Sequence, residues 1–202
     1  MKSIPVVFVV DDDDAVRSGI ALLLRSAGLA SCTYSSAIAF IAGYDPAIGG
    51  CLLLDVRMPG ISGLELQEKL RERGIHLPVI MLTGHADVPM AVRAMKHGAV
   101  DFLQKPFNDQ LLLERVQQAL ELDRKQRKSR QAAEEYCQRY ERLSARERDV
   151  MNLIVAGKAN KVIASDLDIS ERTVEVHRRR VMDKMGVRSV AELVQASIAS
   201  HQ

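Results

Sequence analysis

The sequence predicts an α/β domain with a five-stranded, doubly wound parallel sheet, followed by a second domain that is entirely helical. Three observations support this fold class. Residues 1–120 alternate short apolar runs with helical patterns, residues 109–142 form one uninterrupted helical pattern, and the last sixty residues contain helical patterns only. Alternating strand and helix signals are typical of a parallel sheet covered by helices on both faces. A length of 202 residues is sufficient for two domains of modest size.

The strands of the first domain are predicted from apolar runs of strand length. Val6–Val10, Cys51–Leu54 and Val79–Leu82 are continuous runs rich in valine, isoleucine and leucine, which suit strands buried on both faces. Ala30–Tyr34 and Asp101–Gln104 are weaker candidates. The helical patterns between them lie near residues 14–27, 36–43, 63–73 and 87–97, and a further one begins at 109.

The segment that joins the two domains is predicted to be helical. No glycine or proline occurs between Phe107 and Gly157, and the first turns carry an apolar stripe. Residues 123–130 are almost wholly charged, so a solvated flexible linker is the alternative, and the apolar seam is interrupted for too long to assert a coiled coil. The predicted organisation is a first domain over residues 1–122, a joining helix over 123–142 and a second domain over 143–202.

The helices of the second domain are marked by their ends. Ser144 with Glu147, and Ser189 with Glu192, have the spacing of capping boxes, in which the serine oxygen accepts an amide and the glutamate returns the bond. The predicted helices cover about 145–156, 161–167, 171–185 and 190–199. A short second helix, a tight turn and a longer basic third helix are typical of a DNA-binding helix-turn-helix.

Charge and composition restrict the partners and the location of the protein. Residues 1–120 contain 11 Lys and Arg against 13 Asp and Glu, whereas residues 121–202 contain 17 against 13, which points to a polyanionic partner for the second half. The three cysteines have no C-x-x-C spacing, so a disulfide framework or a zinc site is not expected. The apolar run at Val6–Val10 is too short for a signal peptide or a membrane span. We therefore expect a soluble cytoplasmic protein without a membrane partner.

Acidic residues, a hydroxyl and an ammonium follow the predicted strands. Asp11–Asp14 come after the first strand, Asp55 after the third, Thr83 after the fourth and Lys105 after the fifth. In an open α/β sheet these strand ends share the edge where ligands bind. Carboxylates crowded together repel each other unless a cation neutralises them, and Mg²⁺ with oxygen ligands suits this role. The alternative is that the acids only cap a helix, with Asp14 as the expected cap, but a cap requires one acid.

Four sequence motifs at these positions resemble the signature of response-regulator receiver domains. They are Val9–Asp13, Leu54–Gly60, Thr83–Gly84 and Lys105–Phe107, and the resemblance covers residues 4–122. It implies that Asp55 accepts a phosphoryl group from a phosphohistidine on a sensor histidine kinase. It also implies the ligands of Mg²⁺: Asp12, Asp55 and the backbone carbonyl of Arg57, with Asp11 contributing through water.

The same resemblance assigns roles to residues around the phosphorylation site. Thr83 is expected to hydrogen-bond the phosphoryl group, Lys105 to pair with it, and the Lys105–Pro106 peptide bond to be cis. Phe102, three residues before Lys105, corresponds to the switch aromatic of the family; an ordinary core phenylalanine is the alternative. The dimer contact that the family implies lies on the fourth helix, with Val92 and Lys96 as its candidate residues.

The second domain resembles the DNA-binding domain of the LuxR/NarL class. Leu143–Arg148, Gly157 and Thr173–His177 carry this resemblance, which spans residues 143–199. The whole chain resembles response regulators of the FixJ type, which combine a receiver, a long joining helix and this output domain. The resemblance implies binding to double-stranded promoter DNA, homodimerisation on phosphorylation and contact with RNA polymerase.

The third helix of the second domain is the predicted recognition helix. Arg172, Val176 and Arg179, and in part Glu175, share one face, because residues three and four apart are neighbours on a helix. Arginine can bind guanine, glutamate can accept from cytosine and valine can contact the thymine methyl group. Relatives of the class often carry lysine in place of Glu175, so the base sequence that is read stays open. The candidate DNA contacts are Lys161, Arg172, Thr173, Glu175, Val176, Arg178 and Arg179, with Lys161 and Arg178 assigned to phosphates.

Two other functions compete with a phosphorylation-controlled transcription factor. A phosphohydrolase that forms an aspartyl-phosphate needs a general acid two residues after the nucleophile, and Arg57 occupies that place. The chain is therefore not expected to be an enzyme beyond its own phosphotransfer and slow aspartyl-phosphate hydrolysis. A switch whose helical half binds protein or RNA is the other alternative, and salt-dependent binding to duplex DNA distinguishes it from the transcription factor.

Overall fold

The computed structural model describes residues 4–84 and 88–199, which form two compact units, Met1–Arg127 and Lys128–Gln202. The strands of the first unit are β1 (Val6–Val10), β2 (Ala30–Tyr34), β3 (Gly50–Asp55), β4 (Val79–Thr83) and β5 (Asp101–Gln104). They form one parallel sheet with the strand order β2-β1-β3-β4-β5, which is a doubly wound arrangement. The predicted fold class is confirmed.

Helices cover both faces of this sheet, so its central strands are buried on both sides. The helices of this unit are α1 (Asp14–Ser26), α2 (Ala37–Gly43), α3 (Gly63–Glu72), α4 (Val88–Lys96) and the start of α5 (Asp109–Glu141). Val7 and Val9 of β1 face the apolar cluster that includes α1 and α5, whereas Phe8 and Val10 face the cluster that includes α2, α3 and α4. The same alternation in β3 and β4 explains why their sequences are continuous apolar runs.

The weaker strand signal of Ala30–Tyr34 has a structural reason. This segment is β2, at the edge of the sheet, where it pairs only with β1 among the described strands. None of its five residues is buried. An edge strand with an exposed face needs fewer apolar residues than a central strand, and its sequence pattern is correspondingly less distinct.

The long helix α5 extends through the segment for which a flexible linker was the alternative. It runs without interruption from Asp109 to Glu141, so the helical prediction is confirmed. Leu112, Val116 and Ala119 pack against the sheet in the first unit. Tyr136 packs in the core of the second unit. The two compact units divide after Arg127, within the predicted joining segment.

The second unit is helical and its core is formed by apolar faces of all its helices. Ser144 accepts the Glu147 amide, and the Glu147 carboxylate accepts the Ser144 amide, so this capping box is confirmed. Ser189 accepts the Glu192 amide, but the Glu192 carboxylate accepts from Arg188 instead, so the second predicted box forms only in part. The helices are α6 (Ala145–Val155), α7 (Asn160–Leu167), α8 (Glu171–Met185) and α9 (Val190–Ala199). Among the helices described, none combines the length and apolarity that crossing a membrane requires.

Candidate functional site

Two buried aspartates lie at the carboxyl-terminal edge of the sheet. Asp11 directly follows β1 and is 0% exposed, and Asp55 is the last residue of β3 and is 5% exposed. Asp12 is exposed beside them. One carboxylate oxygen from each of these three residues lies within 4.8 Å of the other two. The strand ends therefore bring together the acids that the sequence analysis proposed as metal ligands.

The ammonium group of Lys105 bridges the two buried carboxylates. Its Nζ donates to Asp11 Oδ2 at 2.5 Å and to Asp55 Oδ1 at 2.7 Å. The Lys105 backbone amide donates to the Thr83 carbonyl at 2.7 Å, which holds the residue beside the end of β4. The Lys105–Pro106 peptide bond is cis, as expected. Lys105 thus lies where it can neutralise negative charge at this edge.

The electrostatics of the edge favour an additional cation. Burial raises the pKa of Asp55 above its ordinary value, and the hydrogen bond and charge of Lys105 offset this only in part. Burial opposes the charged form of Lys105, but the hydrogen bonds to Asp11 and Asp55 raise its pKa above the ordinary value. Three carboxylates then face one ammonium. An oxygen-ligated divalent ion fits this donor set and its excess negative charge.

The loop after β3 holds the second oxygen of Asp55. The backbone amide of Arg57 donates to Asp55 Oδ2 at 2.8 Å, so both carboxylate oxygens have a donor. The loop returns closely to the strand, because the Gly63 amide donates to the Val56 carbonyl at 3.0 Å. A Cβ at Gly63 would lie 2.2 Å from the Asp55 carbonyl oxygen, so a larger residue does not fit. Gly63 was not among the predicted site residues, although a glycine directly after Ser62, which caps α3, was an available signal.

The cap of α1 is Asp13, and the prediction that Asp14 caps it is wrong. Asp13 Oδ1 accepts from the amides of Ala15 at 2.8 Å and of Val16 at 3.3 Å. The chain turns one residue earlier than expected because the Asp13 amide donates to Asp11 Oδ1 at 3.0 Å. Asp13 therefore caps the helix, which leaves Asp11 and Asp12 beside Asp55 as the candidate metal ligands.

An arginine that the sequence analysis did not single out supports this turn. Arg17 donates from Nη1 to the Asp11 carbonyl oxygen at 2.6 Å and from Nη2 to Asp14 Oδ1 at 2.7 Å. Its position one helical turn after the acidic run was the available signal. Arg17 thus fixes the backbone from which the Asp11 carboxylate projects.

Thr83 and Phe102 lie on the adjacent strands β4 and β5. Thr83 ends β4, is 1% exposed and pairs with Gln104. Phe102 pairs with Met81 and packs, half-buried, against the core cluster on the α2–α4 face. The arrangement is compatible with either role considered for Phe102, switch aromatic or ordinary core residue.

The candidate dimer residues lie on the outer surface of α4. The side chain of Val92 is 46% exposed and Lys96 is exposed as well. Met95, also on this surface, is 48% exposed. The predicted first residue of this helix, 87, lies outside the described residues. Two large apolar side chains on one exposed helix surface are consistent with a protein contact.

The predicted recognition helix has the expected inner and outer faces. Val174, Val181 and Met185 are buried in the core of the second unit. The helix follows α7 after three residues, and Ser170 caps it by accepting the Thr173 amide at 3.1 Å. The exposed candidates are Lys161 on α7 and Arg172, Glu175, Val176 and Arg179 on α8, whereas Thr173 and Arg178 are half-buried.

The basic residues of this surface differ in whether they already have partners. Among the described residues, no ion pair involves Arg172, Arg178 or Arg179, which leaves their charge available to an anion. Lys184 of the same helix instead binds Glu147 at 2.6 Å and faces α6. The Thr173 hydroxyl is hydrogen-bonded to the Ser170 hydroxyl in the helix cap, with 2.8 Å between the two oxygens. The cluster of unpaired arginines is therefore the feature that fits a polyanion.

Comparison with known proteins assigns both units. Residues 7–117 match the family described as "Response regulator receiver domain", and residues 141–197 match "Bacterial regulatory proteins, luxR family". The "Transcriptional regulatory protein FixJ" of Azorhizobium caulinodans is 51% identical over 98% of this chain and 93% of its own length. "Nodulation protein W" of Bradyrhizobium diazoefficiens is 46% identical over 95% of this chain and 85% of its own length.

A solved structure is similar over both units. The structure of the response regulator StyR is 46% identical, covers 96% of this chain and 98% of its own, and has a TM-score of 0.86. The matching order of receiver and LuxR-type domain, at this identity and coverage, shows the family of the whole chain. The chain belongs to the response-regulator family and is a FixJ-like transcriptional regulator of a two-component system.

Proposed function

We propose that Asp55 accepts a phosphoryl group from a sensor histidine kinase and that this modification controls binding of α8 to promoter DNA in the cytoplasm. The observation that carries the proposal is the convergence of Asp11, Asp12, Asp55 and Lys105 at one edge of the sheet. An oxygen of Asp55 attacks phosphorus, the bond from phosphorus to the donor nitrogen breaks, and its electron pair remains on the imidazole.

The residues of the edge divide the chemistry among them. Asp12, Asp55 and the backbone carbonyl of Arg57 would hold Mg²⁺, with Asp11 acting through water. When bound, the ion supplies positive charge that stabilises the equatorial phosphoryl oxygens. Lys105, which bonds both carboxylates, transfers one of its bonds to a phosphoryl oxygen. The chain performs only this self-phosphotransfer and a slow hydrolysis of the aspartyl-phosphate, so it is not an enzyme acting on other substrates.

The signal leaves the site through the two neighbouring strands. The phosphoryl group offers new acceptors to the hydroxyl of Thr83, and the displacement of Thr83 allows Phe102 to turn inward. Thr83 ends β4 and Phe102 lies on the neighbouring strand β5, which packs against α4. The exposed surface of Val92 and Lys96 then forms the contact of a homodimer. Dimer formation places two recognition helices on one DNA site.

The DNA contacts divide into two groups. Arg172, Glu175, Val176 and Arg179 are exposed on α8 and would read base edges in the major groove. Phosphate contacts come from Lys161 and Arg178, and they orient the helix without reading sequence. Thr173, at the start of the same helix, is a further candidate contact. The DNA-bound dimer would then contact RNA polymerase.

Phosphorylation of a variant of Asp55 tests this proposal, with a variant of the exposed Asp14 as the matched control. Acetyl phosphate with Mg²⁺ should label the wild-type chain and Asp14→Asn, because Asp14 is 88% exposed and bonds only Arg17 among the described residues. Asp55→Asn should take up no label in intact-mass measurements. Full labelling of Asp55→Asn would refute the assignment of the acceptor. Salt-dependent binding of the phosphorylated chain to duplex DNA tests the second half, and its absence at moderate salt would favour a protein or RNA partner.

A further inference from the structure

A buried carboxylate on α5 lies at the sheet edge opposite to the phosphorylation site. Asp123 is 3% exposed, and its Oδ2 accepts the backbone amide of Gly50, the first residue of β3, at 2.8 Å. Burying a charged group costs free energy unless it is paired and hydrogen-bonded. Asp123 takes no part in the phosphorylation site or in the DNA-binding face, so this cost requires another explanation.

Arg127, one helical turn later, completes the site. Its Nε lies 3.1 and 3.0 Å from the two carboxylate oxygens of Asp123. Its Nη2 donates to the carbonyls of Ile48 at 2.7 Å and Pro46 at 3.1 Å, and its Nη1 to that of Ala47 at 3.4 Å. The guanidinium therefore connects α5 to the loop between α2 and β3. A lysine could not reproduce this set of bonds, because its ammonium lacks the planar fork.

Glycines in the loop between α2 and β3 leave space for the Asp123 and Arg127 side chains. A Cβ at Gly49 would lie 2.9 Å from Asp123 Oδ2 and 3.1 Å from Arg127 Nε. A Cβ at Gly50 would lie 1.8 Å from the Val6 carbonyl oxygen. Gly49 thus allows the carboxylate and the guanidinium to approach the backbone closely, while Gly50 allows the close approach of β1. We call Asp123, Arg127 and residues 46–50 the helix anchor.

The helix anchor is the last tight attachment of α5 to the first unit. Between Leu120 and Tyr140, all within the described residues, Asp123 is the one buried residue. The apolar contacts of α5 with the sheet end near Leu120, and the first compact unit ends at Arg127. A helix without packing is marginally stable in water. Without the helix anchor, α5 would lose its attachment after Leu120 and could bend or melt there.

We propose that Asp123 and Arg127 are positioning residues that fix the joining helix to the receiver, and that phosphorylation changes DNA affinity only while they do so. The coupling role rests on the proposed function of Asp55. A dimer formed through α4 sets the spacing of two recognition helices on DNA only if each joining helix keeps a fixed direction from its receiver. A helix that melts at residues 121–127 becomes a flexible tether, which leaves the spacing of the two recognition helices undefined.

The attachment itself is tested with the native cysteines. Cys32 and Cys137 are exposed and Cys51 is buried, so spin labels attach to the first two in the full-length chain. Asp123→Asn should broaden the distribution of distances between the labels. The control is Glu121→Gln, which removes the charge from an exposed ion pair with Arg124 on the same helix. Equal distributions in Asp123→Asn and wild type would overturn the helix anchor.

The coupling is tested by DNA affinity, using a duplex selected from a random pool by the phosphorylated wild-type chain. For Asp123→Asn and for Arg127→Lys, the ratio of affinities with and without acetyl phosphate should fall to about 1, while labelling of Asp55 is unchanged. Glu121→Gln should keep the wild-type ratio. Arg127→Lys retains the charge, so it keeps the test available if Asp123→Asn does not fold.

The outcomes separate the two levels of the proposal. A wild-type ratio in either anchor variant overturns the coupling role, even if the distances broaden. If the DNA affinity of the wild-type chain does not change on phosphorylation, both the proposed function and the coupling role are refuted. The spin-label distances then test the helix anchor alone.

Discussion

Replacement of Glu147 by alanine should destabilise the DNA-binding unit by an amount that follows from its contacts. The carboxylate is 3% exposed, accepts the Ser144 amide at 2.8 Å in the capping box and binds the Lys184 ammonium at 2.6 Å. Loss of a cap costs about 1 kcal/mol. Loss of the bond to Lys184 adds about 1–2 kcal/mol, the lower part of the range for charged bonds, because the Lys184 side chain is 39% exposed.

The expected total is about 2–3 kcal/mol, which corresponds to about 30- to 150-fold faster exchange of core amides. Hydrogen exchange of α6 and α8 in the full-length chain measures it without interference from the first unit. Glu147→Gln keeps an acceptor for the Ser144 amide and should lose only about 1 kcal/mol. Glu171→Gln, an exposed acid with no ion pair among the described residues, is the control. An acceleration below about twofold for Glu147→Ala would show that these contacts do not stabilise the unit.

The same carboxylate predicts a pH dependence with a defined sign. The hydrogen bond from Lys184 is the main reason that the pKa of Glu147 is lowered from 4.5 to about 2. A carboxyl group with a lower pKa in the folded state stabilises the fold above its unfolded pKa and loses this contribution as the pH falls. Stability of the second unit should therefore decrease between about pH 4.5 and pH 2, and less steeply in Glu147→Gln. Parallel pH profiles for the two proteins would contradict this.

Three further changes test other parts of the molecule. Lys105→Ala should abolish or strongly slow labelling by acetyl phosphate, because the ammonium that bridges the carboxylates is lost; a wild-type rate by intact-mass measurement would refute its role. Removing divalent ions with EDTA should prevent labelling and added Mg²⁺ should restore it, whereas labelling in EDTA would exclude a metal requirement. Arg179→Ala should weaken DNA binding and reduce the slope of log affinity against log salt if Arg179 neutralises a phosphate. If Arg179 reads a base, the variant should change base preference at an unaltered slope. Retention of both affinity and base preference would show that Arg179 is not part of the DNA interface.

The sequence was most informative where a residue's role is local or repeats with a regular period. The buried strands β1, β3 and β4 were predicted because apolar residues on both faces leave a continuous run. The candidate metal ligands were grouped correctly because the ends of parallel strands share one edge, which places Asp11 beside Asp55 without any knowledge of loops. At these positions the sequence motif, the location at the end of a strand and the chemistry of the side chain all indicated the same site.

Contacts between distant residues were not predictable in the same way. Asp123 was included in a charged, solvated stretch, because its partner, the Gly50 amide, is 73 residues away along the chain. The domain boundary placed at residue 122 followed from the end of the apolar pattern, while the compact unit extends to Arg127. The choice between Asp13 and Asp14 as the cap of α1 depended on the hydrogen bond that the Asp13 amide donates to the Asp11 carboxylate. The pattern of hydrophobic residues in the sequence gives no information about such hydrogen bonds.

A crystal of the full-length chain grown with Mg²⁺ and a beryllofluoride phosphoryl mimic tests the central claim most directly. We predict the mimic on Asp55 with Lys105 bonded to it. The ion should lie about 2.0–2.1 Å from oxygens of Asp12 and Asp55 and from the carbonyl of Arg57. Density for neither group at this edge, or an ion bound only elsewhere on the chain, would contradict the account.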